Sequence, residues 1–302
     1  MKPTTITTAI LCTLLLCTGC ESDVNYRGEG VSAKMVLNSM INSGETSQLI
    51  KVSESVFVFS DQKPKPVDNP NLALRINGFP VEVTYDHSVR EDRYYRFNAV
   101  LNPGDRMEIS GDSQSHGHLS GSDVIPYPPQ IVDVAPEWFT GTADGISYLR
   151  TTVKIKDRPN ENNYYRIVIH TKTVFSGNDP DDITWQNQEV HVDQEILFKE
   201  ISGSLGDANT SLFAIFSDEL FRGREYSLNV YIRHDNFSQE ADQYVRVEIH
   251  TLSENLYKYL RSLEVAASGD NFTEPVKIFT NIEGGFGILG TYTTGQMTIE
   301  MK

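Results

Sequence analysis

Cysteine is nearly missing from this chain: of 302 residues only Cys12, Cys17 and Cys20 are cysteines. Everything after position 20 therefore has no thiol nucleophile, no thiolate for zinc and no disulfide, and its fold rests on hydrophobic burial. Basic charge is also scarce, with 26 Lys and Arg against 41 Asp and Glu, a formal charge of −15. A surface of that sign disfavours nucleic acid and anionic phospholipid and keeps the body soluble. Catalytic signatures are wanting as well: there is no Gly-x-Ser-x-Gly elbow and no His-Glu-x-x-His helix motif. The expectation is a protein that is not an enzyme and carries no cofactor.

What is there begins at the N-terminus. Lys2 is followed by an apolar stretch from Ala9 to Cys17, too short to span a bilayer, then Gly19, Cys20 and the polar Glu21-Ser22-Asp23. This is the pattern of a lipoprotein signal: residues 1–19 form the leader, cleavage follows Gly19, and Cys20 is the lipidated first residue of the mature chain. Acylation, palmitate included, anchors it to the membrane, since each buried methylene contributes about 0.8 kcal/mol and two or more chains hold stably. Lys2 is the only charge ahead of Cys20, so the mature body is one unit more negative than the whole chain.

Behind a tether at 20–30, period-two alternation broken by Gly, Pro, Asn and Asp dominates, which is the pattern of antiparallel sheets. Strands are expected at Met35–Leu37, Leu49–Phe59, Tyr94–Leu101 and Arg106–Ser110, with a hairpin turning at Asn77-Gly78. Three prolines in Ile125-Pro126-Tyr127-Pro128-Pro129 remove backbone donors and mark a boundary. This places an immunoglobulin-like β-sandwich at 31–124 and a second β-rich domain at 125–302. The fold class expected is mainly β, two β-sandwich (immunoglobulin-like) domains in tandem with one short helix in the C-terminal region. That helix is expected at Ser253–Ala267, where Leu256, Leu260 and Leu263 recur at helical spacing behind a possible capping box at Thr251–Glu254. Strand pattern returns at Pro275–Thr280 and Gly287–Met301.

The run Phe272–Gly290 resembles the closing signature of a Bacteroidota lipoprotein family known as domain of unknown function 4249, with Glu274-Pro275, Asn281, Gly285, Gly287 and Gly290 at the matching positions. The lipoprotein cysteine, the Pro103-Gly104 turn and Tyr257 and Tyr259 fit in order, so the resemblance covers nearly the whole mature chain. It implies β-sandwich lipoproteins of the outer membrane, displayed at the cell surface and accompanying TonB-dependent transporters, with no established activity. The implied role is ligand capture or service as an accessory to such a transporter. The alternatives are a structural or adhesive envelope lipoprotein, or a hydrolase of unrecognised type.

Candidate chemistry is sparse. His116 and His118 with Asp112 could form part of a metal site, but a solvated loop is the expected reading because no complete ligand set is visible. Asp179-Pro180-Asp181-Asp182 could offer oxygens to calcium, yet it lacks the EF-hand glycine and distal acid, so a solvated turn is expected. Asp218-Glu219, or Glu189 with Asp193, could be a glycosidase pair only at the right separation. Tyr94, Tyr95, Tyr127, Trp138, Phe139, Tyr164, Tyr165 and Trp185 are the aromatic candidates for ligand contact, because such side chains give large amphipathic contact; Tyr127, Trp138 and Phe139 are preferred because clefts favour domain junctions.

Overall fold

The computed structural model describes residues 32–56, 63–86, 94–140, 147–188, 191–192, 213–233, 241–268 and 276–301. In chain order the elements are β1 (Met35–Asn42), β2 (Ser47–Glu54), β3 (Ala73–Ile76), β4 (Phe79–Val81), β5 (Thr84–Asp86), β6 (Tyr94–Asn98), β7 (Arg106–Ser113), β8 (Gly117–Val124), β9 (Gln130–Thr140), β10 (Ser147–Lys156) and β11 (Tyr164–Phe175). They continue as β12 (Gln186–Gln188), β13 (His191–Val192), β14 (Ile215–Ser217), β15 (Glu225–Arg233), β16 (Ala241–Leu252), the helix α1 (Glu254–Ser268), β17 (Ile282–Glu283) and β18 (Phe286–Met301). The protein is mainly β, with several sheets and one α-helix among the described residues.

Alternation explains the strands. In β11, Tyr165, Ile167 and Ile169 are buried while their neighbours are half-exposed, as period-two side-chain placement requires. The β3–β4 hairpin turns on Asn77 and Gly78, at φ 52° and 82°. Positive φ at both central residues matches the right-handed twist of the flanking strands.

Three sheets result. The longest runs β12-β11-β16-β18-β1-β2-β6-β5, with β14 also on β11. A second runs β13-β15-β10-β9, and a third β17-β8-β7-β3-β4. Two apolar cores lie against the long sheet. One joins Leu149, Val153, Leu228 and Val230 of the second sheet to Ile167, Ile169, Val245 and Val247 of the long one. The other joins Leu74, Met107, Ile109 and Leu119 of the third sheet to Leu37, Ile50, Val52 and Phe97. The proline-rich break expected at 125–129 is an extended link between β8 and β9. Strands from both sides of it nevertheless share the long sheet, because β1 pairs in parallel with β18 from Val36–Phe286 to Asn42–Tyr292. Residues Ala33–Lys302 accordingly cluster as one unit.

Local differences from the sequence expectation have physical causes. The helix starts at Glu254 with Ser253 as its N-cap: Ser253 Oγ accepts from Leu256 N–H at 3.1 Å. The return half of a capping box is missing, since Leu256 occupies the position where a Glu or Gln would accept from Ser253 N–H, which donates instead to Thr291 O at 2.9 Å. Leu256 and Leu260 pack with Ile215 and Leu252 on the long sheet. Residues 276–281 are not strand; the closing strands begin at Ile282 and Phe286. The expected strand Leu49–Phe59 is β2, ending at Glu54, and 57–59 lie outside the described residues.

Candidate functional site

The residues of the closing signature divide cleanly. Cys20, Gly19, Glu274 and Pro275 lie outside the described residues. Asn281 is a bracket: its Nδ2 donates to Ser122 O at 3.1 Å and Leu289 O at 2.8 Å, while its Oδ1 accepts from Leu289 N–H at 3.0 Å. It thereby ties β8 to β18. Gly287 stands at φ 99°, and a Cβ there would run into the carbonyl oxygen of Leu37 on β1. At Gly290 a Cβ would meet Leu256 carbons from 2.8 Å, the place where the helix sits down on β18. Gly285 is tight in the same way, 2.6 Å from Met35 O. All three glycines are positions where neighbouring atoms must approach closely, a constraint that only the missing side chain satisfies.

Beside Asn281 lies a buried carboxylate. Asp123 of β8 accepts from Asn255 Nδ2 at 2.9 Å and from Thr291 N–H and Oγ1 at 2.8 and 3.0 Å. Burial pushes its carboxyl above the usual range, against the hydrogen bonds from Ser253, Asn255 and Thr291, which pull it down. In the other core, Asp157 accepts from Tyr165 O–H and from Gly223 N–H, both at 2.6 Å, and burial raises it too. Asp218, 1% exposed, accepts from Asn163 N–H at 2.9 Å and pairs with Arg222. These carboxylates hold loops and strands together, and Asp218-Glu219 is not two facing acids.

The sequence candidates do not assemble into one site. Tyr127, half-exposed, stacks under the Arg158 guanidinium at 3.9 Å from its ring centroid. Trp138, also half-exposed, stands far along β9. Roughly 25 Å of extended strand separates Gln130 from Trp138 at ~3.3 Å per residue, so Tyr127 and Trp138 cannot share a small ligand. Phe139 occupies β9 with its side chain outside the description. His118 Nδ1 lies 2.8 Å from Asp112 Oδ1, whereas His116 turns to Glu54 at 3.4 Å. Among the described residues no group of three or more His, Cys, Asp or Glu could hold a metal ion. Asp179–Asp182 is an exposed turn in which Asp181 N–H donates to Asp179 Oδ1 at 2.9 Å. Glu189 and Asp193 lie outside the described residues.

A cavity does form elsewhere, at the edge of the N-terminal core. A groove of about 570 Å³ is lined by Asn69, Pro70, Asn71, Leu72, Val83, Tyr85 and Tyr95. Tyr85 of β5 and Tyr95 of β6 are register partners, so both point to the same face, and their rings meet edge to face with centroids 5.7 Å apart. On the opposite face Arg96 binds Asp86 at 2.6 Å and fastens the short edge strand β5 to β6. The far wall is equally fixed. Asn69 and Asn71 adopt φ 44° and 37° on either side of buried Pro70, whose carbonyl accepts from Asp112 N–H at 2.8 Å. Non-glycine residues with positive φ are uncommon, and Asn is among the few that tolerate it. Two within three positions make a turn whose shape is set before any ligand arrives.

Sequence reading missed this groove, apart from Tyr95. The signal available was Asn69-Pro70-Asn71, a turn-forming tripeptide between strands. Nothing local in the sequence brings it across from Tyr85.

Among the described residues no helix is long and apolar enough to cross a membrane. No curated protein matches the chain. A family model described as Domain of unknown function (DUF4249) matches residues 21–298, nearly the whole length, from just after Cys20 to near the end of β18. By that match the chain belongs to the DUF4249 family.

Proposed function

We propose that this protein is a non-enzymatic lipoprotein of the Bacteroidota outer membrane, anchored through Cys20 and displayed at the cell surface. In this reading its body binds a ligand and serves as an accessory to a TonB-dependent transporter. The observation that carries the ligand-binding part is the groove between Tyr85, Tyr95 and the Asn69–Leu72 turn. It is concave, built on strands and a hydrogen-bonded turn, and its lining mixes polar and apolar groups in about equal measure, which offers a ligand both hydrogen bonds and apolar contact. The anchoring part is supported by the apolar run ending at Gly19-Cys20 and by a family match that starts at residue 21. An acidic, thiol-free body suits that setting. The finer architecture belongs to the same proposal: each core, enclosed between two sheets, is an immunoglobulin-like sandwich, the two sharing the long sheet.

Two measurements test it. Mass spectrometry of the processed chain is expected to show an N-terminal, acylated Cys20, and an unmodified N-terminus rules out the anchor. Purification of the acylated protein from native outer membranes is expected to bring down a β-barrel transporter in stoichiometric amount. If the protein comes out alone, the accessory role is lost and the structural or adhesive alternative gains.

A further inference from the structure

We infer that the groove beside Tyr85 takes a neutral saccharide chain, an inference that rests on the groove being the ligand site proposed above. Charge is the first argument. Among the described residues, none of the seven that line the groove is ionisable to a charge near pH 7, although the chain carries 67 acidic and basic side chains together. The nearest pair on β5 and β6, Asp86 and Arg96, neutralises itself on the opposite face. An ionised ligand would lose hydration on entry, and among the described residues of the lining no opposite charge replaces it.

Shape and hydrogen-bonding capacity give the second argument. Tyr85 and Tyr95, with Leu72 and Val83, present aromatic and aliphatic surface suited to the C–H faces of a sugar ring. Asn69 and Asn71 each carry an amide that both donates and accepts. Sugar hydroxyls are likewise donors and acceptors at once, so two amides held on a rigid turn can serve several of them. The turn's two left-handed residues and the Pro70–Asp112 hydrogen bond hold that wall in place, which lowers the ordering cost of binding.

The test is calorimetric titration of the purified full chain with neutral hexasaccharides of glucose, mannose, xylose and N-acetylglucosamine, beside an oligogalacturonate and an uncharged hexapeptide. At least one neutral hexasaccharide is expected to bind. Tyr85→Ala is expected to weaken it about tenfold or more, the loss of one aromatic contact. Tyr85→Phe keeps the ring and is expected to stay within about threefold, as a ring-face contact with little hydroxyl involvement predicts. Asn71→Gly removes the amide while keeping the left-handed backbone accessible, and is expected to weaken binding by about three- to tenfold. It also serves as the independent variant should Tyr85→Ala lower the thermal midpoint. If only the oligogalacturonate or the peptide binds, and Tyr85→Ala abolishes that binding, the saccharide inference falls while the groove stands. If none of the probes binds, or binding ignores both Tyr85→Ala and Asn71→Gly, the groove falls with it.

Discussion

Single side chains carry an unusual share of the junction between β8, β18 and the helix, and Asp123 is the most exposed to test by pH. Both its oxygens accept hydrogen bonds, from Asn255 and Thr291, yet burial leaves its folded pKa above the ordinary value. An acid whose folded pKa is raised binds its proton more tightly when folded. Its contribution is therefore present below the unfolded pKa of about 3.9 and fades as pH rises through the raised folded value. Asp123→Asn removes that dependence, so urea titrations of wild type and variant are expected to diverge least at pH 7 and most near pH 4, in favour of wild type. An equal difference at both pH values would contradict the assignment. Asn281→Ala acts differently, because it strands Leu289 N–H and removes both donor bonds at once. A loss of roughly 1–3 kcal/mol is expected for each buried group left unpaired, read as a lower urea midpoint at unchanged slope.

Helix α1 shows what an element owes to its ends. Ser253 Oγ caps the Leu256 N–H, and Ser253 C=O accepts from Tyr257 N–H at 3.0 Å. Ser253→Ala removes the side-chain cap and is expected to cost about 1 kcal/mol, seen as a lower thermal midpoint with Ser253→Thr partly restoring it. If Ser253→Ala leaves the midpoint in place, the cap is not holding the helix. This helix was legible in the sequence because Leu256, Leu260 and Leu263 keep the apolar period, although its cap is Ser253 and not the Thr251 of the expected box. So was the β3–β4 hairpin, where Asn77-Gly78 is the turn residue pair that the backbone demands. β8 was hidden for the opposite reason. Its sequence, Gly117-His118-Leu119-Ser120-Gly121-Ser122-Asp123-Val124, has one fully buried apolar side chain, Leu119. The other inward positions are Gly121, where a Cβ would strike Ile282, and Asp123, buried by hydrogen bonding. β9 escaped notice as an edge strand largely exposed to solvent, with Pro136 within it. The groove was illegible beyond Tyr95 and the Asn69-Pro70-Asn71 turn, since strand edges distant in sequence make it.

At the scale of the whole molecule the decisive contact is the parallel pairing of the first and last strands, which no local pattern announces. β18 takes part in both cores: Leu289 is buried with the N-terminal set, while Met297 and Ile299 pack against the C-terminal one. A strand that belongs to two cores couples them, because neither can release it without disturbing the other. The two halves are therefore expected to unfold together. Both tryptophans, Trp138 and Trp185, lie after the proline-rich link at 125–129, so their fluorescence reports on the part of the chain beyond it, whereas far-ultraviolet circular dichroism reports on all strands. Coincident urea transitions by the two probes are expected. Leu37→Ala gives the sharper version. Leu37 is fully buried in the N-terminal core and pairs with Gly287 of β18, and its truncation should cost about 2–5 kcal/mol as a buried leucine does. If the cores are coupled, that loss shifts the tryptophan transition by as much as the dichroic one. A tryptophan transition that stays where it was, while the dichroic curve splits in two, would show the halves to be independent domains that merely share an edge.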